Sequence, residues 1–397
     1  MDGRLKLLTL QEVIAFLKVS RATVNRWRRD KGLPFIKIGK DVFFEQEAIR
    51  EWVRGHQLNE RETKMPAETI MIGYQSMNAY LWSSLLVKEL RLFEAEWERD
   101  HPERPIYVNW LELDGPRQIE ELAAGRLHIA SLGDFPLVSL FHVSSLLPSF
   151  QPKLLAFDGK NSRDSGAFWV TPNSSALRLD QLADHRVAAL HQSSSWHRLH
   201  QTFAQLPAAS PLIVNQPAVQ TMAHLLSNQI DASIMIEPFV SMIRLQEWGR
   251  THPLEGSADD YLAGIAADGR WLAEHEEMAV AYVKAHLHAH RLIREQPFKM
   301  ALLIARLLDF PVRVVAEVLS GILWDAAIYE RDIQTLGRIG KAHYPVLANW
   351  QEDPFSHQNL ASEFVSSHCL QEAAKQAGLP AISEVLHGDS WMNQQLY

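Results

Sequence analysis

Cysteine is almost missing from this chain: Cys369 is the only one in 397 residues. That excludes a disulfide framework within the chain and any zinc cluster of the finger or ribbon type. The 18 histidines are mostly scattered. His286 and His290 are four apart, but Leu287 stands where a zinc-protease helix carries its glutamate. Long apolar runs are absent as well. The richest, residues 300–308, is well short of the roughly 20 residues that span a bilayer and contains Arg306. The first ten residues carry charges and no apolar stretch, so no secretory signal is read there. These absences lead to the expectation of a cytoplasmic protein with no membrane partner, and no residue pattern asks for a cofactor.

What is present points to two functions in one chain. Hydrophobic residues make up 47% and charged residues 22%, the balance of a folded chain rather than a disordered one. The length exceeds what a single core usually organises, so at least two domains are expected. The net charge of −8 is unevenly placed. Up to His56 there are 12 Lys/Arg against 7 Asp/Glu, or +5, while the remainder has 27 against 40, or −13. A basic head on an acidic body assigns a polyanion partner to the head alone.

In the head, Thr9-Leu10-Gln11-Glu12 reads as a capping box opening a first helix, with Val13, Ile14, Phe16 and Leu17 at helical spacing. Ser20 then caps a second helix over 21–29, and Gly32 lies just beyond its end. Val24 and Trp27 face inward with Val19 beneath them. The opposite face shows Arg21, Ala22, Asn25, Arg26 and Arg29. Arginine reads guanine and asparagine reads adenine through paired hydrogen bonds in the major groove. Two short apolar runs around Gly39-Lys40-Asp41 predict a β-hairpin, with Lys37 and Lys40 placed for phosphate. Residues 45–54 close the unit as a third helix, with Ile49, Trp52 and Val53 facing in. The stretch "LTLQEVIAFLKVSRATVNRWRRDKGLPFIKIGKDVFFEQEAIREWV" resembles the excisionase-like, MerR-related winged helix-turn-helix family. The resemblance implies double-stranded DNA as a partner of residues 1–56.

Residues 57–68, polar and aperiodic, read as a linker. From 69 onward short apolar runs alternate with helical ones. Strands are predicted at 69–74, 106–113, 127–131, 153–157, 167–170, 186–190, 212–214 and 232–236, with a helix from 79 to about 96. The alternation predicts an α/β body with a largely parallel sheet, turning wholly helical from 271. In such sheets ligands lie beyond the carboxyl ends of strands, where helix N-termini offer N–H groups to anions. Three junctions draw attention: Gln75 after the first strand, Gly133-Asp134 after the third, and Ser193-Ser194-Ser195-Trp196 after the strand ending at 190.

The motifs "IMIGYQ", "IEELAAGRLHIASLGDFP", "HRVAALHQSSSWHRL" and "LLSNQIDASIMIEPF" resemble the nitrate/sulfonate/taurine and thiamine-pyrimidine group of ABC-type substrate-binding proteins. The later "DYLAGIAADGRWLAEHEEMAVAYVKAH" is similar to that family's helical close. The resemblance implies a bilobal, type II periplasmic-binding-protein fold over 69–397. One lobe would comprise about 69–158 and 256–397, the other about 159–255. Carried over by position, it places Gln75, Gly133, Asp134, Ser193, Ser194, Ser195, Trp196 and Glu237 around the cleft. Tyr74, Trp82, Phe135 and Trp196 would form an apolar wall. The expected whole is a one-component transcriptional regulator, working as a homodimer and sensing a small sulfonate- or taurine-like effector. Two rivals come from the same resemblance: a solute receptor of an ABC transporter and a thiamine-pyrimidine synthase-like enzyme. The latter calls for a cysteine-rich motif that this chain lacks. An excisionase-type architectural factor would need no appended receptor.

Overall fold

The computed structural model describes residues 7–17, 21–30, 32–38, 41–46, 48, 49, 52, 68–162, 166–173, 181, 182, 184–204, 211–254, 259–344, 353–380, 385–387, 390 and 391. They fall into two compact units, Met1–Thr69 and Ile70–Tyr397.

The first unit holds β1 (Leu7–Thr9), α1 (Leu10–Leu17), α2 (Arg21–Asp30), β2 (Ile36–Ile38) and β3 (Asp41–Glu45). The capping box forms as the sequence predicts. Thr9 donates its N–H and hydroxyl to the Glu12 carboxylate at 2.7 and 2.8 Å, and the Glu12 N–H returns to the Thr9 hydroxyl at 3.3 Å. Past α2, Gly32 takes a left-handed φ of 63°, and the Leu33 N–H donates to the Trp27 carbonyl at 3.1 Å. β2 and β3 pair as the expected hairpin, with Lys37 opposite Val42. β1 was not anticipated. It pairs antiparallel with β3, and three residues are too few to show a period. Residues 46, 48, 49 and 52 are helical. Val13, Val24, Leu33, Phe44 and Ile49 are buried, and Trp27 packs against Trp52 with centroids 5.3 Å apart and the rings tilted by 45°.

The second unit contains two sheets. The first has strand order β14-β7-β13-β6-β4-β5, from β4 (Thr69–Tyr74), β5 (Tyr107–Glu112), β6 (Ile129–Gly133), β7 (Pro152–Asn161), β13 (Tyr261–Asp268) and β14 (Leu323–Trp324). The second has order β10-β9-β11-β8-β12, from β8 (Phe168–Pro172), β9 (Arg186–Ala189), β10 (Leu212–Asn215), β11 (Ala232–Met235) and β12 (Gly249–Pro253). The helices that follow the strands are α3 (Trp82–Glu89), α4 (Leu92–Asp100), α5 (Gly115–Ala123), α6 (Asp134–Leu146), α7 (Ser194–Ala204), α8 (Ala218–Leu226) and α9 (Phe239–Leu245).

Three features depart from the sequence reading. The sheets are mixed rather than largely parallel. β9 pairs parallel with β10 and β11, and β4 with β6, where βα units succeed one another. Pairs involving β7, β8, β12 and β13 are antiparallel, because the chain leaves the first sheet after β7 and returns to it at β13. Secondly, residues 261–268 open the presumed helical close but form β13, buried at every residue between β6 and β7. A strand covered on both faces has no alternation to distinguish it from a buried helix. Thirdly, the helix expected over 79–96 is a 3₁₀ turn (Ala79–Leu81), then α3 and α4, broken where Arg91 adopts a left-handed φ of 52°.

The C-terminal region is helical, with α10 (Gly269–Glu274), α11 (Glu276–Glu295), α12 (Pro297–Leu308), α13 (Val312–Gly321), α14 (Glu330–His343) and α15 (His368–Gln376). Cys369 is buried on α15, and burial pushes its thiol up to about 12. No described helix is long and apolar enough to cross a membrane.

Candidate ligand-binding cleft

The carboxyl ends of β4, β5, β6, β9, β10 and β11 all contribute to the wall of one cavity of about 260 Å³. Four helices begin at it. Asp114 caps α5 by accepting the Arg117 N–H at 2.9 Å. The Ser193 hydroxyl accepts from Trp196 N at 3.2 Å and donates to the Leu190 carbonyl at 2.7 Å, fixing the start of α7. Gly133 precedes α6 and Pro217 precedes α8, neither with a capping side chain. Helix N-termini carry partial positive charge and unshared N–H groups, so their convergence favours an anion. Among the described lining residues there is no lysine, arginine or histidine, while two carboxylates, Glu112 and Asp114, are present. Helix ends therefore supply the positive potential. The apolar part of the wall comes from residues such as Met77, Leu113, Leu190, Val219, Met235 and Ile236.

The structure divides the expected ligand residues. Gln75, Gly133, Ser193, Ser194 and Ser195 line the cavity. Gln75 is anchored through its amide to the Ser131 carbonyl at 2.7 Å. Gly133 is needed for closeness: a Cβ there would lie 2.6 Å from the Ser194 hydroxyl and 3.2 Å from that of Tyr261. Asp134, Trp196 and Glu237 are not in the lining. Asp134 is fully buried and ion-paired with Arg198 at 2.7 Å. Glu237 accepts from the N–H and hydroxyl of Ser241 at 3.0 and 2.9 Å, tying down the start of α9, and burial raises its pKa against those bonds. The Glu237–Pro238 peptide is cis. Trp196 packs between Phe135 and His200. Tyr74, Trp82 and Phe135 are buried outside the lining too. Trp82 supports the cleft from beneath, its indole N–H donating to the Ser76 carbonyl at 2.8 Å.

Beyond the residues assigned to the ligand, several others line the cavity. Ser76 donates to Glu112, which also accepts from the Tyr74 hydroxyl at 3.2 Å. Gln216 donates to Thr221 at 3.1 Å and meets His224 at 2.9 Å. Glu112–Pro116 and Gln216–Ala218 are strand-to-helix junctions like the three singled out, and the same reasoning applied evenly would have found them. Tyr261, bonded with Asn78 at 3.3 Å and with Ser194, lies at the start of β13, a strand the sequence reading did not list.

Beside the cleft the two lobes meet at a seam of charged and aromatic groups. The His197 Nδ1 faces His343 Nε2 at 2.6 Å, and His197 Nε2 faces Asp259 at 3.3 Å. Arg338 reaches Asp259 at 3.1 Å. Burial, then the neighbouring His197 and His200, push the His343 pKa down to about 4 against a weaker pull from Asp259. Burial lowers His200 as well. An unfolded histidine takes up its proton near 6.5, but the folded one only near 4. The seam's contribution is therefore intact above about pH 6.5 and lost as the pH falls towards 4. The melting temperature of the body should drop between pH 7 and pH 5. His343→Gln should flatten that dependence in melts across the range, and an unchanged slope would remove His343 as its source.

On the head, Arg21 and Arg29 are exposed on α2 and Lys37 is exposed on β2. Ser20 and Lys40 lie outside the described residues, as do the side chains of Ala22, Asn25 and Arg26.

A family model described as a helix-turn-helix domain matches residues 7–57. No curated protein sequence matches the chain. The fold is similar to that of the alkanesulfonate-binding protein SsuA from Xanthomonas axonopodis pv. citri bound to MOPS, at 17% identity and a TM-score of 0.58 over 81% of this chain and 99% of that one. It is also similar to the periplasmic nitrate-binding protein NrtA from Synechocystis PCC 6803, at 13% identity and a TM-score of 0.59 over 80% and 91%. The periplasmic aliphatic sulphonate binding protein SsuA from Escherichia coli matches at 19% identity and a TM-score of 0.56 over 70% and 87%. The chain thus joins a helix-turn-helix domain to a body with the bilobal fold of the periplasmic sulfonate- and nitrate-binding proteins.

Proposed function

We propose that this protein is a cytoplasmic one-component transcriptional regulator whose head binds DNA and whose cleft senses a small organic anion or zwitterion. The observation that carries the reading is the convergence of four helix N-termini on a cavity whose described lining has no cationic side chain, in a chain that also has a helix-turn-helix domain. The helix ends take the anionic group and the apolar wall takes a short hydrocarbon part. Glu112 and Asp114 give an amine somewhere to bind, as in taurine. Because the similar folds include sulfonate binders, sulfonates are the first class to try. Ligand closing the lobes would change how two heads meet DNA. One head of this size covers little DNA, so a homodimer on two half-sites fits best. The fold by itself also fits a transport receptor, and the head tells the two apart.

The test is a thermal-shift screen of the full chain against alkanesulfonates, taurine, nitrate and sulfate, each hit repeated with promoter DNA. At 100 times its dissociation constant a ligand adds about 2.7 kcal/mol of stability. A hit that also changes DNA affinity is the expected result. In parallel, Arg21→Ala with Arg29→Ala should weaken DNA binding while the ligand shift stays unchanged. For every phosphate that an arginine no longer neutralises, the dependence of log K on log salt should flatten by about 0.9. DNA binding untouched by any ligand would leave the head without a sensor. A ligand response with no DNA binding would favour the transport receptor.

A further inference from the structure

The histidine pair that finds no part in the cleft sits in the core of the first lobe. His286 and His290, one turn apart on α11, turn the same way, with ring centroids 4.3 Å apart. Asp158 on β7 faces them, and each of the three offers a ligand atom within 4.8 Å of the others. Ser83 on α3 completes the group. All four are fully buried.

With Asp158 ionised and both histidines neutral, the hydrogen bonds in this group are one positive charge short. The Phe157 carbonyl, 2.8 Å from His286 Nε2, requires a hydrogen on that nitrogen, so neutral His286 presents a lone pair at Nδ1. That lone pair lies 3.0 Å from the Ser83 hydroxyl oxygen, and the Asp158 carboxylate lies 2.5 Å from the same oxygen. A hydroxyl has one hydrogen and cannot serve two acceptors. The other Asp158 oxygen faces His290 Nε2 at 2.9 Å, while His290 Nδ1 is buried with no hydrogen-bond partner among the described residues. Unsatisfied acceptors at full burial are costly, and a cation shared by Asp158, Ser83 and His286 Nδ1 removes the conflict at Ser83, while His290 Nδ1 stays on the side of its ring turned away from that cation.

We propose that Ser83, Asp158, His286 and His290 form a buried divalent-cation site with zinc as its natural occupant. The donor set is one carboxylate oxygen, His286 Nδ1 and His290 Nε2, three ligands of the kind that suit zinc, with the Ser83 hydroxyl beside them as the fourth, weaker donor. The bond from His286 Nε2 to the Phe157 carbonyl is the outer contact that orients a ligating imidazole. Zinc bonds of about 2.0–2.1 Å would place the donors roughly 3.3 Å apart, so the contacts of 2.5, 2.9 and 3.0 Å open by a few tenths of an ångström to under 1 Å. A metal there ties α3, β7 and α11 together. Ser84, next to Ser83, already meets Ser131 of β6 at 2.7 Å, so the clamp reaches the strand that ends at Gly133 in the cleft. Since the site is sealed, the ion enters as the chain folds.

The experiment uses the full chain. Protein from zinc-supplemented cells is desalted and its metal content measured by mass spectrometry, with one zinc per chain expected. Wild type is also unfolded with EDTA, then refolded with zinc, with cobalt(II) or without metal. Zinc should raise the melting temperature, and cobalt should give the visible absorption of a tetrahedral site. Asp158→Asn with His290→Gln should retain no zinc and show no metal-dependent melt. Wild type without zinc, and with one melting temperature in zinc and in EDTA, would overturn the site. So would full zinc content in the double variant. If the double variant fails to fold, the wild-type refolding comparison decides alone.

Discussion

Asp134→Ala is expected to destabilise the body by about 3–5 kcal/mol, the range for removing one partner of a buried ion pair. Asp134 at the start of α6 and Arg198 on α7 are both buried, with contacts of 2.7 and 3.3 Å. Arg198 also donates to the carbonyls of Ser194 and Asp260 at 3.1 and 3.0 Å and lies over the Tyr261 ring. Those contacts cannot neutralise its charge, and Asp259, already shared with His197 and Arg338, offsets it only in part, so the alanine variant keeps a poorly compensated buried guanidinium. The missing bond to the Phe135 N–H, 2.7 Å in the structure, adds to the cost. Because the pair joins α6 of one lobe to α7 of the other, it also holds the seam beside the cleft. Adding Arg198→Leu to the alanine variant should recover most of the loss, since an apolar pair leaves no buried charge behind. Urea denaturation of the three proteins checks this. A loss below about 1 kcal/mol in the single variant would mean that water or a neighbouring group compensates Arg198.

The second large effect concerns the cleft. Replacing Ser193, Ser194 and Ser195 together by alanine should abolish the ligand-induced thermal shift and leave basal DNA binding in place. The Ser193 hydroxyl caps α7, and its loss costs about 1 kcal/mol of helix stability. Ser194 and Ser195 line the cavity at the N-terminus of α7, where hydrogen bonds to a charged ligand are worth about 1.5–3 kcal/mol each. Losing two of them weakens binding by roughly two to four orders of magnitude. Calorimetry with the best ligand of the screen, beside a DNA-binding titration, separates the arms. A retained ligand response would move the binding site away from α7. Loss of both activities would mean that the variant is damaged beyond the cleft.

Much of this molecule is legible along the chain because the signals are local. The Thr9/Glu12 capping box, the Gly32 helix stop and the alternation around Gly39-Lys40 involve residues within a few positions of one another. Their physics is complete before any tertiary contact forms. The same holds for the βα junctions that present Gln75, Gly133 and Ser193–Ser195. The carboxyl end of a strand followed by a helix start is a local pattern, and the fold places such ends together.

Other features depend on partners far away in sequence. Whether Asp134 faces ligand or protein depends on Arg198, 64 residues later, and nothing near Asp134 signals that partner. Even a near neighbour can mislead: Glu237 reads as a cleft residue until the turn into α9 brings Ser241, four residues on, to its carboxylate. β13 is not seen as a strand because its partners β6 and β7 cover both faces and erase the alternation that marks one. The spacing of His286 and His290 shows one helix face but no third group, until β7 brings Asp158 to it across more than a hundred residues. By itself the sequence determined the helix-turn-helix head, the alternating α/β body and the helix starts that line the cavity, since capping, periodicity and charge act over a few residues. Only the tertiary structure decided which carboxylates are occupied by protein and which line the cleft, because ion pairing and burial depend on groups that folding alone brings together.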